Sequence, residues 1–230
     1  MTDPARRIVS LGFASALVLS LSNIVFAQVP VEREPRHHLV FENEALRVLD
    51  INIEPGDTTL DHTHSHDMAT VCISGTQMRN RVPGAEWGAP GTPCELGRAN
   101  ATEYVRPVTH RAQNVGNALF RLIGVENLRQ TGWSEDAPFS GAAAKIVKET
   151  RAFRLYEVHL AADGVEVVHV HRRPVVVVLV RGELVPGRDR PERSVLLDQA
   201  HRWSFVAAGE SHRLAGGRTG ETLLVEIEIP

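Results

Sequence analysis

The sequence predicts an all-β protein that folds as two similar domains in tandem. After residue 27, turn residues interrupt the chain every eight to twelve positions, and apolar and polar residues alternate between these turns. No segment keeps a helical period, so we expect helices to be short and peripheral. Residues 46–75 also match residues 153–182 when they are shifted by 107 positions. A chain of 230 residues has room for two such copies of about 100 residues each.

The two copies correspond residue by residue over their first strands. Arg47, Leu49, Ile51 and Ile53 fall on Arg154, Tyr156, Val158 and Leu160. His62, His64 and Gly75 fall on His169, His171 and Gly182 at the same shift. Because alternate residues of a strand share one face, both copies should present the same inward face.

The repeat predicts the domain boundaries. We expect a first domain over residues 34–129, a linker over 130–144 that is rich in glycine, serine, proline and alanine, and a second domain over 145–230. Residues 79–101 have little alternation, and we interpret them as a long loop that is a tolerated insertion in preference to a lid. Residues 175–180 are apolar on both faces, which indicates packing against the other domain or against a second subunit in a homodimer.

The first 27 residues differ from the rest. Arg6 and Arg7 precede an apolar stretch over residues 8–26, and Val25 and Ala27 suit the positions that a signal peptidase reads. We therefore expect residues 1–27 to be a signal peptide and the mature protein to be periplasmic or secreted, free of the membrane. A permanent membrane span is the less favoured alternative, because several serines interrupt the stretch. The arginine pair also weakly resembles the twin-arginine signal of proteins that are exported folded.

Composition excludes some partners and leaves the cysteines open. The 25 basic and 28 acidic residues give a formal charge of −3, and the scattered arginines form no basic patch, so we expect no nucleic-acid partner. Cys72 and Cys94 could form a disulfide in an oxidising compartment. The position of Cys72 within an apolar strand pattern favours a buried free thiol instead.

Each copy carries three histidines at a spacing that suits a metal ion. His62 and His64 are separated by one residue, so they point to the same face of a strand, and His110 follows 46 positions after His64. A third imidazole from a distant strand can complete a triangle of nitrogen ligands inside a barrel. The second copy repeats the plan with His169, His171 and His212. Neutral imidazole suits iron, nickel, copper and zinc, and manganese less well.

These segments resemble the two motifs of the cupin superfamily, G-x5-H-x-H-x3,4-E-x6-G and G-x5-P-x-G-x2-H-x3-N. The first copy matches at Gly56, His62, His64, Gly75, His110 and Asn114, and the second at Gly164, His169, His171, Gly182, Gly209 and His212. The glutamate position of the motif is occupied by Met68 in one copy and by Val175 in the other. The second copy also has Ala207 at the proline position and Gly216 at the asparagine position. The resemblance covers nearly the whole mature chain, twice.

The resemblance implies two jelly-roll β-barrels and their metal ligands. His62, His64 and His110 would hold one divalent ion, and His169, His171 and His212 would hold a second or form a structural remnant. Iron is the metal that the resemblance favours, with manganese, nickel, copper or zinc as alternatives. Cupin relatives with three histidines and no glutamate include iron-dependent dioxygenases, so the vacant glutamate positions are compatible with catalysis and equally with its loss.

We therefore expect dioxygenase-like chemistry on a small organic molecule, with a non-catalytic binding module for a small ligand or metal as the alternative. A sugar-phosphate isomerase is a further activity within the reach of the family. His66 and Asp67 lie near the vacant glutamate position, so either could supply a fourth ligand to the first triad. Arg172 and Arg173 flank the second triad and could bind an anionic substrate at its mouth, although arginines at a strand end are more often solvated.

Overall fold

The computed structural model describes residues 28–133, 137–139, 144–162, 166–185, 195, 197, 202–218 and 220–230. In this part of the chain the regular structure is β-strand, apart from one short 3-10 helix over Val31–Arg33. The predicted signal peptide, Gly164, His201 and part of the predicted linker lie outside the described residues. Within them, no helix has the length and apolar character needed to cross a membrane.

The described strands number sixteen. They are β1 (Val29–Pro30), β2 (His37–Glu42), β3 (Leu46–Ile53), β4 (His62–His64), β5 (Met68–Ser74), β6 (Met78–Arg81), β7 (Ala99–Thr102), β8 (Val108–Asn114), β9 (Phe120–Asn127), β10 (Ala144–Glu149), β11 (Arg154–Leu160), β12 (Glu166–Val170), β13 (Val175–Arg181), β14 (Trp203–Val206), β15 (Ser211–Ala215) and β16 (Thr222–Glu228).

The two copies have the same sheet order. In the first, a five-stranded sheet runs β2-β3-β9-β5-β7, and in the second the order is β10-β11-β16-β13-β14. Opposite these lie the sheets that carry the histidines, β1-β4-β8-β6 in the first copy and β12-β15 in the second. Strands β3, β5 and β9 therefore correspond to β11, β13 and β16.

The two barrels pack against each other through their five-stranded sheets. One continuous apolar cluster contains buried side chains from both copies, among them Val48, Val71 and Val125 from the first and Val178 and Ile227 from the second. Alternate residues of β13 divide between this cluster and the interior of the second barrel. The apolar run over residues 175–180 thus packs outward against the other barrel, which is one of the two arrangements that the sequence indicates.

The predicted long loop over residues 79–101 is shorter than expected, because β6 and β7 occupy its ends. The chain between them folds back over β5, where Cys94 forms a disulfide with Cys72. The preference for a free thiol is therefore wrong: strand pattern alone could not show which residue the connection brings beside Cys72. Gly75 permits this close approach, since a Cβ at this position would collide with the backbone oxygen of Cys94.

Candidate metal centres

The structure brings His62, His64 and His110 together. His62 and His64 lie on β4 and His110 lies directly opposite His62 on the antiparallel neighbour β8. One ring nitrogen of each residue lies within 4.8 Å of the others, and the Nε2 atoms of His64 and His110 are 3.1 Å apart. Two nitrogens that each lie about 2.1 Å from a shared ion, at a right angle, are separated by about 3.0 Å. The spacing therefore fits one metal ion.

The protonation of this triad also suits a metal. The Nδ1 of His62 donates a hydrogen bond to the carbonyl oxygen of Leu60 (3.0 Å), which leaves Nε2 with its lone pair. That Nε2 is buried without a hydrogen-bond partner among the described residues. Burial lowers the pKa of His62, and burial together with neighbouring imidazoles lowers the pKa of His64 to about 3 and of His110 to about 4. The three rings are neutral at pH 7, which is the form that binds metal.

The first triad faces a cavity of about 350 Å³. Besides the imidazoles, its wall is mainly apolar and includes Ile51, Met68, Phe120 and Leu122. The connection between β6 and β7 also contributes to the wall, at Gly91, Thr92 and Cys94. Among the described residues that line this cavity, none is Asp, Glu, Lys or Arg.

His37 belongs to the same cavity, and the sequence did not indicate it. Its ring is buried with its centroid 4.6 Å from that of His62, nearly perpendicular to it. Burial and the nearby imidazoles hold the pKa of His37 well below its usual value, and its Nδ1 has no described partner. The repeat gave no signal, because His37 pairs with Ile51 and the corresponding residue of the second copy is Ala144.

His66 and Asp67, the alternative fourth ligands of the first triad, have other partners. The carboxylate of Asp67 accepts hydrogen bonds from the backbone of Tyr104 (2.7 Å) and from the Arg151 side chain (2.5 Å). The Nδ1 of His66 lies 3.7 Å from a carboxylate oxygen of Glu126. Neither residue joins the group of ring nitrogens within 4.8 Å.

The second triad converges on a carboxylate that the motif does not contain. His169 lies on β12, His171 follows this strand, and His212 lies on β15 opposite His169. The Nε2 atoms of His169 and His212 each lie 3.0 Å from Oε1 of Glu226, and Nε2 of His171 lies 3.2 Å from Oε2. Glu226 is fully buried on β16, and all four donor atoms lie within 4.8 Å of one another.

A second layer orients His171. Its Nδ1 donates to Oε1 of Glu228 (3.2 Å), and the hydroxyl of Tyr156 donates to the other oxygen of Glu228 (3.1 Å). Burial alone would lower the pKa of His171, but its hydrogen bonds to Glu226 and Glu228 raise it to about 9. Burial alone would raise the pKa of Glu226, but hydrogen bonds from the three imidazoles hold it well below its usual value. Without a metal, therefore, a proton on His171 balances one of the two buried negative charges.

Sequence reasoning missed Glu226 because it searched only the motif position, Val175. A signal was present: Glu226 and Glu228 alternate with apolar residues on β16, so they share the inward face of a strand whose other face is apolar. Two buried carboxylates on one inward face need cationic, imidazole or metal partners.

Arg172 and Arg173 line a different cavity of about 290 Å³, together with Arg154 and Glu228.

Comparisons with known proteins reveal likeness only in structure. No protein-family model and no curated protein sequence matches the chain. AerE from Microcystis aeruginosa is 12% identical, with 86% of this chain and 98% of that chain covered and a TM-score of 0.54. The nickel(II) complex of the bacterial pirin YhhW from Escherichia coli is 14% identical over 84% and 90% of the two chains, with a TM-score of 0.54.

A salicylate 1,2-dioxygenase from Pseudaminobacter salicylatoxidans is also similar. It is 11% identical, with 81% of this chain and 71% of that chain covered and a TM-score of 0.55. At such identities the likeness establishes the fold alone. Together with the matching sheet orders of the two copies, these comparisons show that the chain has the fold expected from its cupin-like motifs, two jelly-roll β-barrels in tandem.

Proposed function

We propose that the protein is an exported metal-dependent cupin whose first barrel carries out dioxygenase-like chemistry on a small organic molecule. The observation that carries this proposal is the convergence of His62, His64 and His110 at a cavity of about 350 Å³. That volume is at the lower end of the range for small-molecule pockets. The leader over residues 1–27 supports export.

The number of protein ligands favours the first barrel as the reactive centre. Three imidazoles leave coordination positions free, which is the arrangement of catalytic metal sites. A bound divalent ion, iron by preference, would supply a Lewis acid and a centre for redox chemistry. The chain's own residues would hold the ion through three Nε2 atoms and shield the ligand from water with Ile51, Met68 and Phe120.

The cavity wall favours an uncharged ligand that carries oxygen donors. Because its described lining holds no charged side chain, a phosphate or a second carboxylate would lose its hydration there without gaining an ionic partner. Phenols, enols and diketones can bind a metal through their oxygens and place an apolar body against the wall. This chemistry disfavours a sugar-phosphate substrate.

A non-catalytic binding module is the second candidate. It is favoured by the same lining, which offers no described carboxylate to act as a base beside the three imidazoles. Such a module would bind the same ligands in a saturable manner and would consume no oxygen.

Metal analysis and oxygen uptake test the proposal together. The purified mature protein should contain stoichiometric metal, and His62→Ala should remove the share held by the first barrel. Iron-loaded protein should consume oxygen with at least one member of a panel of phenols and diketones. Saturable binding without uptake would support the binding module, and metal-free protein that takes up no added metal would refute both forms of the proposal.

A further inference from the structure

The two barrels carry different residues at one equivalent position on the sheet that faces the histidines. Glu226 lies opposite Tyr156 on β11 and Val177 on β13, and the same place in the first barrel, opposite Leu49 and Thr70, is Gly124. A Cβ on Gly124 would collide with the end of the Met68 side chain. The counterpart of Met68 is the shorter Val175, which leaves room for a carboxylate.

From this difference we infer that the second barrel holds a closed, structural metal centre in which Glu226 is the fourth protein ligand beside His169, His171 and His212. The inference rests on the proposed function for one point, namely that the reactive centre is in the first barrel. Glu226 does not occupy the glutamate position of the sequence motif. It comes from the last strand and approaches the histidines from the opposite sheet.

The separations fit four ligands around one ion. Each of the three Nε2 atoms lies 3.0–3.2 Å from an oxygen of Glu226. Four ligand atoms placed tetrahedrally at about 2.1 Å from an ion are about 3.4 Å apart, so the observed atoms would need to move apart by only a few tenths of an ångström. Three neutral imidazoles and one carboxylate suit zinc or another late first-row divalent ion.

The surroundings close the centre. All four side chains are buried, and the ring of Phe139 lies over both His169 and His171, with centroids 4.6 and 4.7 Å away. The backbone N–H of Phe139 donates to the hydroxyl of Tyr156 (3.1 Å), which holds this residue beside the centre. A site with four protein ligands and a covered face is typical of structural metals, whereas catalytic sites keep an open position.

The position of the centre explains what a structural ion would do. His169 and His212 lie in the two-stranded sheet and Glu226 lies in the five-stranded sheet, so the ion would join the two walls of the second barrel. The neighbours of Glu226 on β16, Val225 and Ile227, pack in the cluster shared with the first barrel. Loss of the ion should therefore weaken the second barrel and its contact with the first.

Two variants, each expected to affect only one of the two metal centres, test the inference on the mature, metal-loaded protein. Glu226→Gln keeps the size of the side chain but removes its charge and replaces one of its two acceptor oxygens with an NH2 group. We expect it to weaken one of two bound metal equivalents by more than about 100-fold, beyond the loss typical of a ligand's hydrogen-bond partner. A chelator should lower the melting temperature of the wild type by about 5 °C or more, and it should not lower that of the variant. Phenol binding at the first barrel should be unchanged.

The reciprocal variant and a control complete the experiment. His62→Ala should remove the other metal equivalent and phenol binding but keep the chelator-sensitive part of the melting temperature. Glu157→Gln, a carboxylate on β11 outside both centres, should change none of these readouts. Two metal equivalents of unchanged affinity in Glu226→Gln, or equal loss of phenol binding in Glu226→Gln and His62→Ala, would overturn the inference. The inference would also be overturned if the wild type bound a single metal equivalent and His62→Ala removed it, but the proposed function would then stand. Only a metal-free wild type would refute both the inference and the proposed function.

Discussion

Gly124 on β9 and Glu226 on β16 occupy the same position in the two barrels. Each lies on the central strand of a five-stranded sheet, opposite corresponding residues of both neighbours. In the first barrel Met68 fills the space above the glycine, and in the second a carboxylate reaches three imidazoles. One residue on the sheet opposite the histidines thus decides whether a triad is open or closed.

This relationship can be tested by transferring the carboxylate. We expect Met68→Val combined with Gly124→Glu to give the first barrel a fourth ligand, because valine vacates the space that the new side chain needs. Metal affinity at His62, His64 and His110 should rise by at least about tenfold, and phenol binding should be lost. Chelator competition and calorimetric titration measure the two effects. Met68→Val alone should leave the metal affinity as in the wild type, because it adds no ligand, and unchanged metal affinity in the double variant would contradict this prediction.

His37 offers a test of which imidazoles bind the metal. Because its Nδ1 is buried without a described partner, we expect His37→Phe to leave the free energy of unfolding unchanged or to raise it by about 1 kcal/mol. The metal content should stay as in the wild type, whereas His62→Phe should remove one equivalent. Denaturant unfolding with metal analysis measures both. Loss of metal in His37→Phe would place His37 among the ligands.

The disulfide should stabilise the first barrel. Cys72 and Cys94 are 22 residues apart, and a closed loop of this length contributes about 3 kcal/mol through the lower entropy of the unfolded chain. We expect the Cys72→Ala/Cys94→Ala variant to unfold at lower denaturant and to bind phenols more weakly, since Cys94 lines the cavity. Reducing agent should affect the wild type and leave the variant unchanged. Equal sensitivity of both proteins would refute this prediction.

Asp67 connects the first barrel to the chain that follows the predicted linker. Its buried carboxylate accepts from the backbone of Tyr104 and from Arg151, a side chain that is half exposed. We expect Asp67→Ala to lower the free energy of unfolding by about 1–3 kcal/mol, because the Tyr104 N–H loses its partner. Arg151→Ala should cost less than about 1 kcal/mol. Chemical denaturation measures the free energy of unfolding of both variants, and a larger loss in Arg151→Ala than in Asp67→Ala would contradict the prediction.

The shared apolar cluster should make the two barrels unfold together. Ile227 is fully buried in this cluster on the side that faces the first barrel. We expect Ile227→Ala to cost about 2–5 kcal/mol and to shift a single calorimetric transition. Two separate transitions in the metal-loaded wild type would show instead that the barrels unfold independently.

The sequence predicted the structure correctly where the relevant relationships are local or periodic along the chain. Strand alternation predicted the all-β fold, and the shift of 107 positions predicted two like copies because equivalent strands need the same inward residues. The histidine spacing indicated which rings would meet: His62 and His64 share a strand face, and His110 pairs opposite His62. These relationships depend on strand geometry that every sheet obeys.

What the sequence by itself determined is therefore the class of fold, the repeat and the six motif histidines. Only the tertiary structure decided that Cys72 meets Cys94, that His37 joins the first cavity, and that Glu226 reaches the three imidazoles of the second barrel. These contacts join segments from different strands or from a long connection, and their partners are selected by how two sheets close over each other. No periodicity along the chain encodes which residues face each other across a barrel, because that depends on the register and curvature of both walls.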